Sequence, residues 1–185
     1  MSAETIFITG ISASGKSTLG KHLKEDLREI GIENVKLLDG EAIRELLAKD
    51  GKHFGYSTDE RNRLAIEIAR IALEYNREGI VAIICAICHV KKIRDEMREI
   101  IKNVMEVYLD CSVEACAKRD YKNNYEKAFK GLYDNFVGAT EPYQVSDRVE
   151  LVLHTDNNTI EECADILFKK VKDFLSLKAK EEQIA

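Results

Sequence analysis

The segment GISASGKS, residues 10–17, holds the first group of residues whose types and spacing suggest chemistry. Gly10, Gly15, Lys16 and Ser17 follow the P-loop pattern, between an apolar run that ends at Thr9 and a helical pattern. Glycines let backbone N–H groups turn inward as an anion nest, and the start of the next helix adds a partial positive charge. The segment therefore predicts a site for the phosphates of a nucleoside triphosphate.

Within this loop, Lys16 is predicted to reach the β- and γ-phosphates and to neutralise developing charge. The Ser17 hydroxyl is the candidate Mg²⁺ ligand. The phosphate-binding residues are predicted to be Gly10, Ser12, Ala13, Ser14, Gly15, Lys16, Ser17 and Thr18.

Two carboxylates, Asp39 and Glu41, follow the second apolar run at an i, i+2 spacing. If the extended geometry continues, both point to the same side at the carboxyl edge of a parallel sheet, where α/β proteins bind ligands. They are candidates to orient or deprotonate a substrate hydroxyl. Asp39 could instead be the N-cap of the helix predicted over 42–49.

Three arginines lie near the starts of two predicted helices: Arg44, Arg61 and Arg63. A guanidinium group binds anions through a fork of N–H donors, so these residues could face an anionic substrate. A solvated surface charge is the ordinary alternative for each of them.

Short β-branched runs alternate with longer amphipathic segments, which is typical of an α/β fold with a parallel sheet. The runs are nearly continuously apolar, as in buried parallel strands. We expect one domain over residues 1–185, in a three-layer P-loop NTPase fold with five parallel strands. The strands are predicted at 5–9, 35–38, 80–86, 105–109 and 149–153, and the principal helices at 42–49, 59–78, 90–102 and 159–177.

Residues 119–146 do not fit the alternation, because they are rich in Lys, Asn, Tyr and Gly and contain Pro142. This segment is predicted to be a mobile lid.

The net charge of −5 argues against nucleic acid as the partner. Neither a membrane span nor a signal peptide is indicated, so we expect a cytoplasmic protein. Among the five cysteines, the spacings of 85, 88, 111 and 116 favour buried thiols over a zinc site.

A P-loop alone does not distinguish a small-molecule kinase from a regulatory GTPase that acts as a nucleotide-dependent switch. A GTPase requires a base-reading motif of the Asn-Lys-x-Asp type, which the late stretch HTDNNT does not supply. A small-molecule kinase is therefore favoured. A nucleotide-binding module without catalysis remains the third interpretation.

Several segments together resemble the adenylylsulfate kinase family, in the order and approximate spacing of that family. They are GISASGKST, LLDGEAIR, FGYSTDER, MEVYLDCSVEACAKRDYKNNYEKAFKG, NFVGATEPY and LVLHTDNNTIEECADIL. The resemblance spans nearly the whole chain. It implies ATP and Mg²⁺, transfer of the γ-phosphate to the 3'-hydroxyl of adenosine 5'-phosphosulfate, and a homodimer.

The resemblance also implies roles for individual residues. Asp39 and Glu41 take the places of the carboxylates in the family's Asp-Gly-Asp signature, and Arg44 and Arg61 those of arginines that hold the substrate's 5'-anionic group. Tyr56 and Phe136 correspond to a base-stacking pair, although core packing is the ordinary role of such aromatics. In the lid, Lys122 is a candidate nucleotide contact and Arg119 a second cation on the ATP side.

The chain departs from the family mainly around the acceptor. Leu64 replaces a substrate-binding asparagine, and Ile87, Cys88 and His89 replace a segment that carries a serine, so no phosphoserine intermediate can form there. Ala13 replaces a P-loop glycine. His89 could donate to the acceptor or simply begin the helix at 90–102. Proteins similar to this family include kinases that act on cytidine diphosphoramidate, and the altered pocket keeps that acceptor as the alternative.

Overall fold

The computed structural model describes the backbone of residues 3–184 and the side chains of residues 3–175. Five strands alternate with helices along the described chain. The elements are β1 (Thr5–Thr9), α1 (Lys16–Glu29), β2 (Val35–Asp39), α2 (Gly40–Lys49), α3 (Thr58–Arg77), β3 (Val81–Cys85), α4 (Lys91–Ile101), β4 (Val104–Asp110), α5 (Val113–Arg119), α6 (Asn124–Phe129), β5 (Leu151–His154) and α7 (Ile160–Ile184).

The strands form one parallel sheet in the order β2-β3-β1-β4-β5. This confirms the predicted α/β class and the five-stranded parallel sheet. Strand β1 lies at the centre, so the loop that follows it opens at the middle of the sheet's carboxyl edge. The predicted strand positions match the structure within two residues at each end.

Successive side chains of the central strand point to opposite faces and build two cores. Ile6 and Ile8 pack in one core with apolar residues of α1 and α7. Phe7 packs in the other with residues of α3 and α4. Helices therefore cover both faces of the sheet, which explains why its strands are apolar throughout.

Helix α3 has a clear local start signal. The Ser57 side chain accepts from the backbone N–H of Glu60, and the Glu60 carboxylate accepts from the backbone N–H of Ser57, which completes a capping box. This cap fixes where the helix begins. Arg61 therefore lies in its first turn, facing the carboxyl edge of the sheet.

The predicted lid, residues 119–146, contains α6 and an isolated β-bridge between Val137 and Glu141. Tyr125 is buried in a small core with Ile11 and Cys116, and its hydroxyl donates to the Ser12 carbonyl oxygen over 2.9 Å. The segment is therefore tied to the P-loop. Its mobility, the single-domain organisation and the homodimer stay predictions.

Candidate active site

Residues 10–17 join β1 to α1 and adopt the backbone of an anion-binding loop. Gly10 and Gly15 have φ of +152° and +102°, and Ala13 has φ of +58°. A Cβ at Gly10 would lie 2.8 Å from the Leu109 carbonyl oxygen, so the loop passes too close to β4 for any side chain there. Ala13 takes a left-handed conformation that glycine adopts more easily, at a cost of about 1–2 kcal/mol.

Lys16 lies over its own loop. Its Nζ donates to the Ile11 carbonyl oxygen over 2.5 Å and approaches the Ser14 hydroxyl at 3.5 Å. Burial lowers the pKa of Lys16 to about 8, and the negative charge of Asp39 opposes this shift. A partly desolvated ammonium beside a nest of N–H groups gains most by binding an anion.

Asp39 joins the P-loop to the second strand. The Ser17 hydroxyl donates to its Oδ2, while its Oδ1 accepts from the backbone N–H groups of Glu41, at 3.1 Å, and Ala42, at 3.5 Å. Asp39 is therefore the N-cap of α2, which was one of its two predicted roles. Its second oxygen remains directed at the phosphate loop.

The expected pairing of Asp39 with Glu41 in an extended strand is wrong. The strand ends at Asp39 and the helix begins at Gly40, so the extended geometry on which that pairing depended does not continue. Glu41 instead accepts from the Tyr56 hydroxyl over 2.7 Å, and its Oε2 lies 3.7 Å from Arg44 Nε. Its side chain is half-exposed.

Arg44 is held against the loop before α3. Its Nη1 donates to the carbonyl oxygens of Phe54, at 2.8 Å, and of Gly55. Its guanidinium carbon lies 4.3 Å from the centre of the Tyr56 ring. Tyr56 is 56% exposed, so it is no part of a core and offers a ring face to a ligand.

Arg61 contacts the segment that follows α6, the helix within the predicted lid. Its Nη1 donates to Glu141 Oε2 over 3.1 Å, and its Nη2 donates to the Asn135 carbonyl oxygen. Arg63, the third candidate arginine, lies elsewhere: its guanidinium carbon is 5.5 Å from the Phe54 ring centre, in a separate cavity. Arg44 and Arg61, but not Arg63, therefore line the cleft that the P-loop also lines.

Apolar side chains form one wall of this cleft. Leu64 is buried in the core on the α3 side, and Ile87 follows β3. Phe136 packs edge-on against Tyr125, with ring centres 4.8 Å apart, and lies nearly parallel to Tyr133 at 6.0 Å. Tyr56 and Phe136 both line the cleft, as expected, and no direct ring contact joins them in the described part of the chain.

Cys88 and His89 lie behind the cleft wall. Cys88 is 2% exposed, and burial raises the pKa of its thiol to about 12. His89 is 4% exposed, and its Nε2 lies 3.2 Å from Glu141 Oε2. The structure therefore does not bring either predicted side chain to the ligand space. Arg94, buried beneath them, donates to the Cys88 carbonyl oxygen over 2.6 Å.

Two cations of the lid lie at the cleft. Arg119 donates to the Thr155 carbonyl oxygen over 2.7 Å, and Lys122 has its Nζ 5.8 Å from the Tyr121 ring centre. Both line the cleft. Thr155 also donates through its hydroxyl to the Ser14 carbonyl oxygen, so the residue that follows β5 supports the P-loop.

These groups surround a single cleft of about 1230 Å³. The P-loop, Arg119 and the start of α7 line one end, and the start of α2, the start of α3 and residues 132–137 line the other. The volume exceeds that of a typical ligand pocket, which suits two substrates bound end to end.

The polar atoms at the centre of the cleft fit a magnesium ion. The Ser17 hydroxyl and one Asp39 oxygen meet beside Lys16, and Mg²⁺ prefers such hard oxygen ligands together with phosphate oxygens and water. Within residues 3–175, no group of three or more His, Cys, Asp and Glu side chains is arranged to hold a metal by itself. The cysteines at 85, 88, 111, 116 and 163 are all buried free thiols.

Glu141 was missed by the sequence analysis. It accepts from Thr58 and Arg61 and contacts His89, three residues that are 52 to 83 positions away in the chain. Its place in the segment GATEPY, beside the predicted Phe136, was the available signal.

In the described part of the chain, no helix is long and apolar enough to span a membrane.

Comparisons with known proteins agree on one family. The profile of the family described as adenylylsulphate kinase matches residues 2–154. The adenylyl-sulfate kinase of Synechococcus sp. (strain JA-3-3Ab) is 33% identical over 168 residues, 91% of this chain and 93% of that protein. The one from Clostridium kluyveri is 35% identical over 177 residues, 95% of this chain and 85% of that protein. The structure of the Mycobacterium tuberculosis APS kinase in complex with AMPPNP and APS has a TM-score of 0.84 and 28% identity, covering 92% of this chain and 98% of that one.

Proposed function

This chain belongs to the adenylylsulphate kinase family, and we propose that it transfers the γ-phosphate of ATP to the 3'-hydroxyl of adenosine 5'-phosphosulfate. The observation that carries the proposal is the single cleft with a phosphate loop at one end and two arginines, Arg44 and Arg61, at the other. That arrangement supports an anionic acceptor in line with a nucleotide donor.

The donor end uses charges and backbone N–H groups. The loop at 10–18 binds the phosphates of ATP, and Lys16 moves from the Ile11 carbonyl to the transferred group. Mg²⁺ held by Ser17 would neutralise charge on the phosphates, with the Asp39 carboxylate beside it. Arg119 closes this end of the cleft.

Asp39 orients the acceptor hydroxyl and accepts its proton as the new oxygen–phosphorus bond forms and the bond to ADP breaks. Glu41 acts indirectly, because its carboxylate already accepts from the Tyr56 hydroxyl and pairs with Arg44. It fixes the ring and the guanidinium that contact the acceptor.

The acceptor is held by stacking, apolar contact and charge. Tyr56 and Phe136 supply ring faces, Leu64 and Ile87 supply an apolar wall, and Arg44, Arg61 and Lys122 supply cations. The relatives described above are named for adenylyl-sulfate, and none of them for cytidine diphosphoramidate. Adenosine 5'-phosphosulfate is therefore the proposed acceptor.

An ADP-release assay tests the proposal with adenosine 5'-phosphosulfate, cytidine diphosphoramidate, and nucleoside mono- and diphosphates as acceptors. We expect the highest kcat/KM with adenosine 5'-phosphosulfate, and at least a 100-fold loss in Lys16→Ala, a size typical of a group that stabilises transition-state charge. Preference for cytidine diphosphoramidate would make the acceptor wrong and leave the kinase in place. No turnover with any of them would overturn the kinase as proposed.

The Leu64→Asn variant is a matched probe of the apolar wall. It adds an amide where the wild-type side chain offers only methyl groups. We expect kcat/KM for adenosine 5'-phosphosulfate to rise by roughly 10-fold, because a site that hydrogen-bonds its substrate discriminates more strongly than an apolar one. Unchanged activity, or lower activity in a variant that unfolds at the same urea concentration as wild type, would show that Leu64 is not what limits use of this acceptor.

A further inference from the structure

The carboxylate of Glu141 joins the segment after the lid helix to the start of α3. Its Oε1 accepts from the Thr58 hydroxyl, and its Oε2 accepts from Arg61 Nη1 over 3.1 Å. The same Oε2 lies 3.2 Å from His89 Nε2. One carboxylate thus gathers three donors that come from α3 and from the loop after β3.

This carboxylate lies among groups that have largely left water. Its side chain is 21% exposed, that of Arg61 is 11% exposed and that of His89 is 6% exposed. A desolvated guanidinium requires a nearby negative charge, and Glu141 provides one at hydrogen-bond distance. Because an ionised carboxylate accepts only, His89 carries its proton on Nε2, facing Glu141.

Burial lowers the pKa of His89, with Arg61 and Arg94 acting in the same direction and Glu141 opposing them. The ring is therefore neutral near pH 7 and donates a single N–H bond to Glu141. Its Nδ1 has no hydrogen-bond partner among the described residues. His89 accordingly supports Glu141 from behind and does not reach the ligand.

The backbone around Glu141 is tightly folded. Glu141 donates its N–H to the Phe136 carbonyl oxygen over 3.1 Å, and its own carbonyl oxygen accepts from Gly138 N–H over 2.8 Å. Arg61 also donates to the Asn135 carbonyl oxygen. The turn that presents Phe136 to the cleft is therefore the same turn that fixes the Arg61 guanidinium.

We propose that Glu141 is a positioning residue for the acceptor: it holds Arg61 so that the remaining N–H donors of the guanidinium face the cleft, with Thr58 and His89 steadying its carboxylate. The inference rests on the proposed function in one respect, namely that Arg61 binds the acceptor's anionic group. The contact between Arg61 and Glu141 itself is independent of the acceptor's identity.

The test uses Glu141→Gln, which keeps the size of the side chain and removes its charge. We expect the KM for the acceptor to rise roughly 10-fold or more, since a charge-assisted bond that orients a binding group is lost, while the KM for ATP stays unchanged. Glu74→Gln is the matched control, because Glu74 forms an exposed pair with Arg77 at 2.7 Å and lies outside the cleft. It should leave both KM values unchanged.

A second measurement does not depend on turnover. The rate at which phenylglyoxal modifies Arg61 is followed by peptide mass spectrometry, with the exposed Arg70 as the internal standard. In Glu141→Gln the Arg61 rate should rise roughly threefold or more relative to wild type, because the guanidinium loses its charged partner. If this variant does not fold, Thr58→Val, which removes one donor to Glu141 at nearly constant volume, should show a smaller rise.

The outcomes separate the two proposals. If wild type turns over no acceptor, the proposed function fails, and the labelling still decides whether Glu141 holds Arg61. Unchanged labelling of Arg61 in the variant overturns the positioning role, whatever happens to turnover. Faster labelling of Arg61 with an unchanged KM for the acceptor shows that Glu141 holds Arg61. It also overturns the assigned role of Arg61 in binding the acceptor.

Discussion

Lys16 is the residue on which the donor end of the cleft depends, and its environment makes nucleotide binding sensitive to pH. In the free protein, burial holds the pKa of Lys16 at about 8. The phosphates of a bound nucleotide favour the charged ammonium and must raise that pKa. Below about pH 7 Lys16 is protonated with or without nucleotide, and above pH 8 only the complex keeps the proton.

We therefore predict that nucleotide binding takes up about half a proton at pH 8 and almost none from this group at pH 6.5. Calorimetric titrations in buffers with different ionisation enthalpies measure the uptake directly. The Lys16→Ala variant should bind more weakly and show no such uptake at pH 8. Equal uptake in both proteins would assign the proton to another group.

At the scale of the elements, the junction of β2 and α2 places one carboxylate in two roles. Asp39 caps α2 through Oδ1 and meets the Ser17 hydroxyl through Oδ2. Asparagine caps helices as well as aspartate does, whereas alanine does not. Two substitutions at this position therefore separate the cap from the charge.

Asp39→Asn is predicted to change the free energy of unfolding by less than about 0.5 kcal/mol, and Asp39→Ala to lower it by about 1 kcal/mol. Both should lose roughly 100-fold or more in activity, because the carboxylate that accepts the proton of the acceptor hydroxyl is lost. Urea unfolding and ADP release at varied Mg²⁺ measure the two effects. Full activity in Asp39→Asn would contradict the assigned role of the charge.

The sheet and the phosphate loop could be predicted because their signals are local. A buried parallel strand must be apolar along its whole length, and a phosphate loop needs its glycines and lysine within eight residues. The cap of α5 is a local feature of the same kind, because the Ser112 hydroxyl accepts from Ala115 N–H over 3.3 Å.

The acceptor side was harder because its contacts come from distant parts of the chain. Glu141 meets Arg61 across 80 positions, and no periodicity reports such a contact. The pairing of Asp39 with Glu41 failed because the helix starts one residue after the strand. Two roles were open to His89, contact with the acceptor or the start of the next helix, and the backbone after β3 turns its side chain towards Glu141.

At the scale of the whole molecule, a buried ion network connects the helix layer, the sheet and the loop before β5. Arg94 on α4 pairs with Glu106 on β4 over 2.9 Å, with side chains 0% and 1% exposed. Arg98 approaches the other oxygen of Glu106 at 3.2 Å and pairs with Glu150. Arg94 also donates to carbonyl oxygens of Cys88 and Gln144, so the network lies directly behind the support of Glu141.

Glu106→Gln is predicted to lower the free energy of unfolding by about 3–5 kcal/mol, because it leaves buried guanidinium charge without its partner. Such a loss is a large part of the roughly 5–15 kcal/mol that stabilises a domain. Glu99→Gln is the matched control, since its pair with Lys102, at 2.8 Å, is exposed to solvent screening and its loss should have a much smaller effect. Urea unfolding of both variants checks the difference. Equal, small losses would show that the network contributes little to stability and that the region behind the acceptor site is held by packing alone.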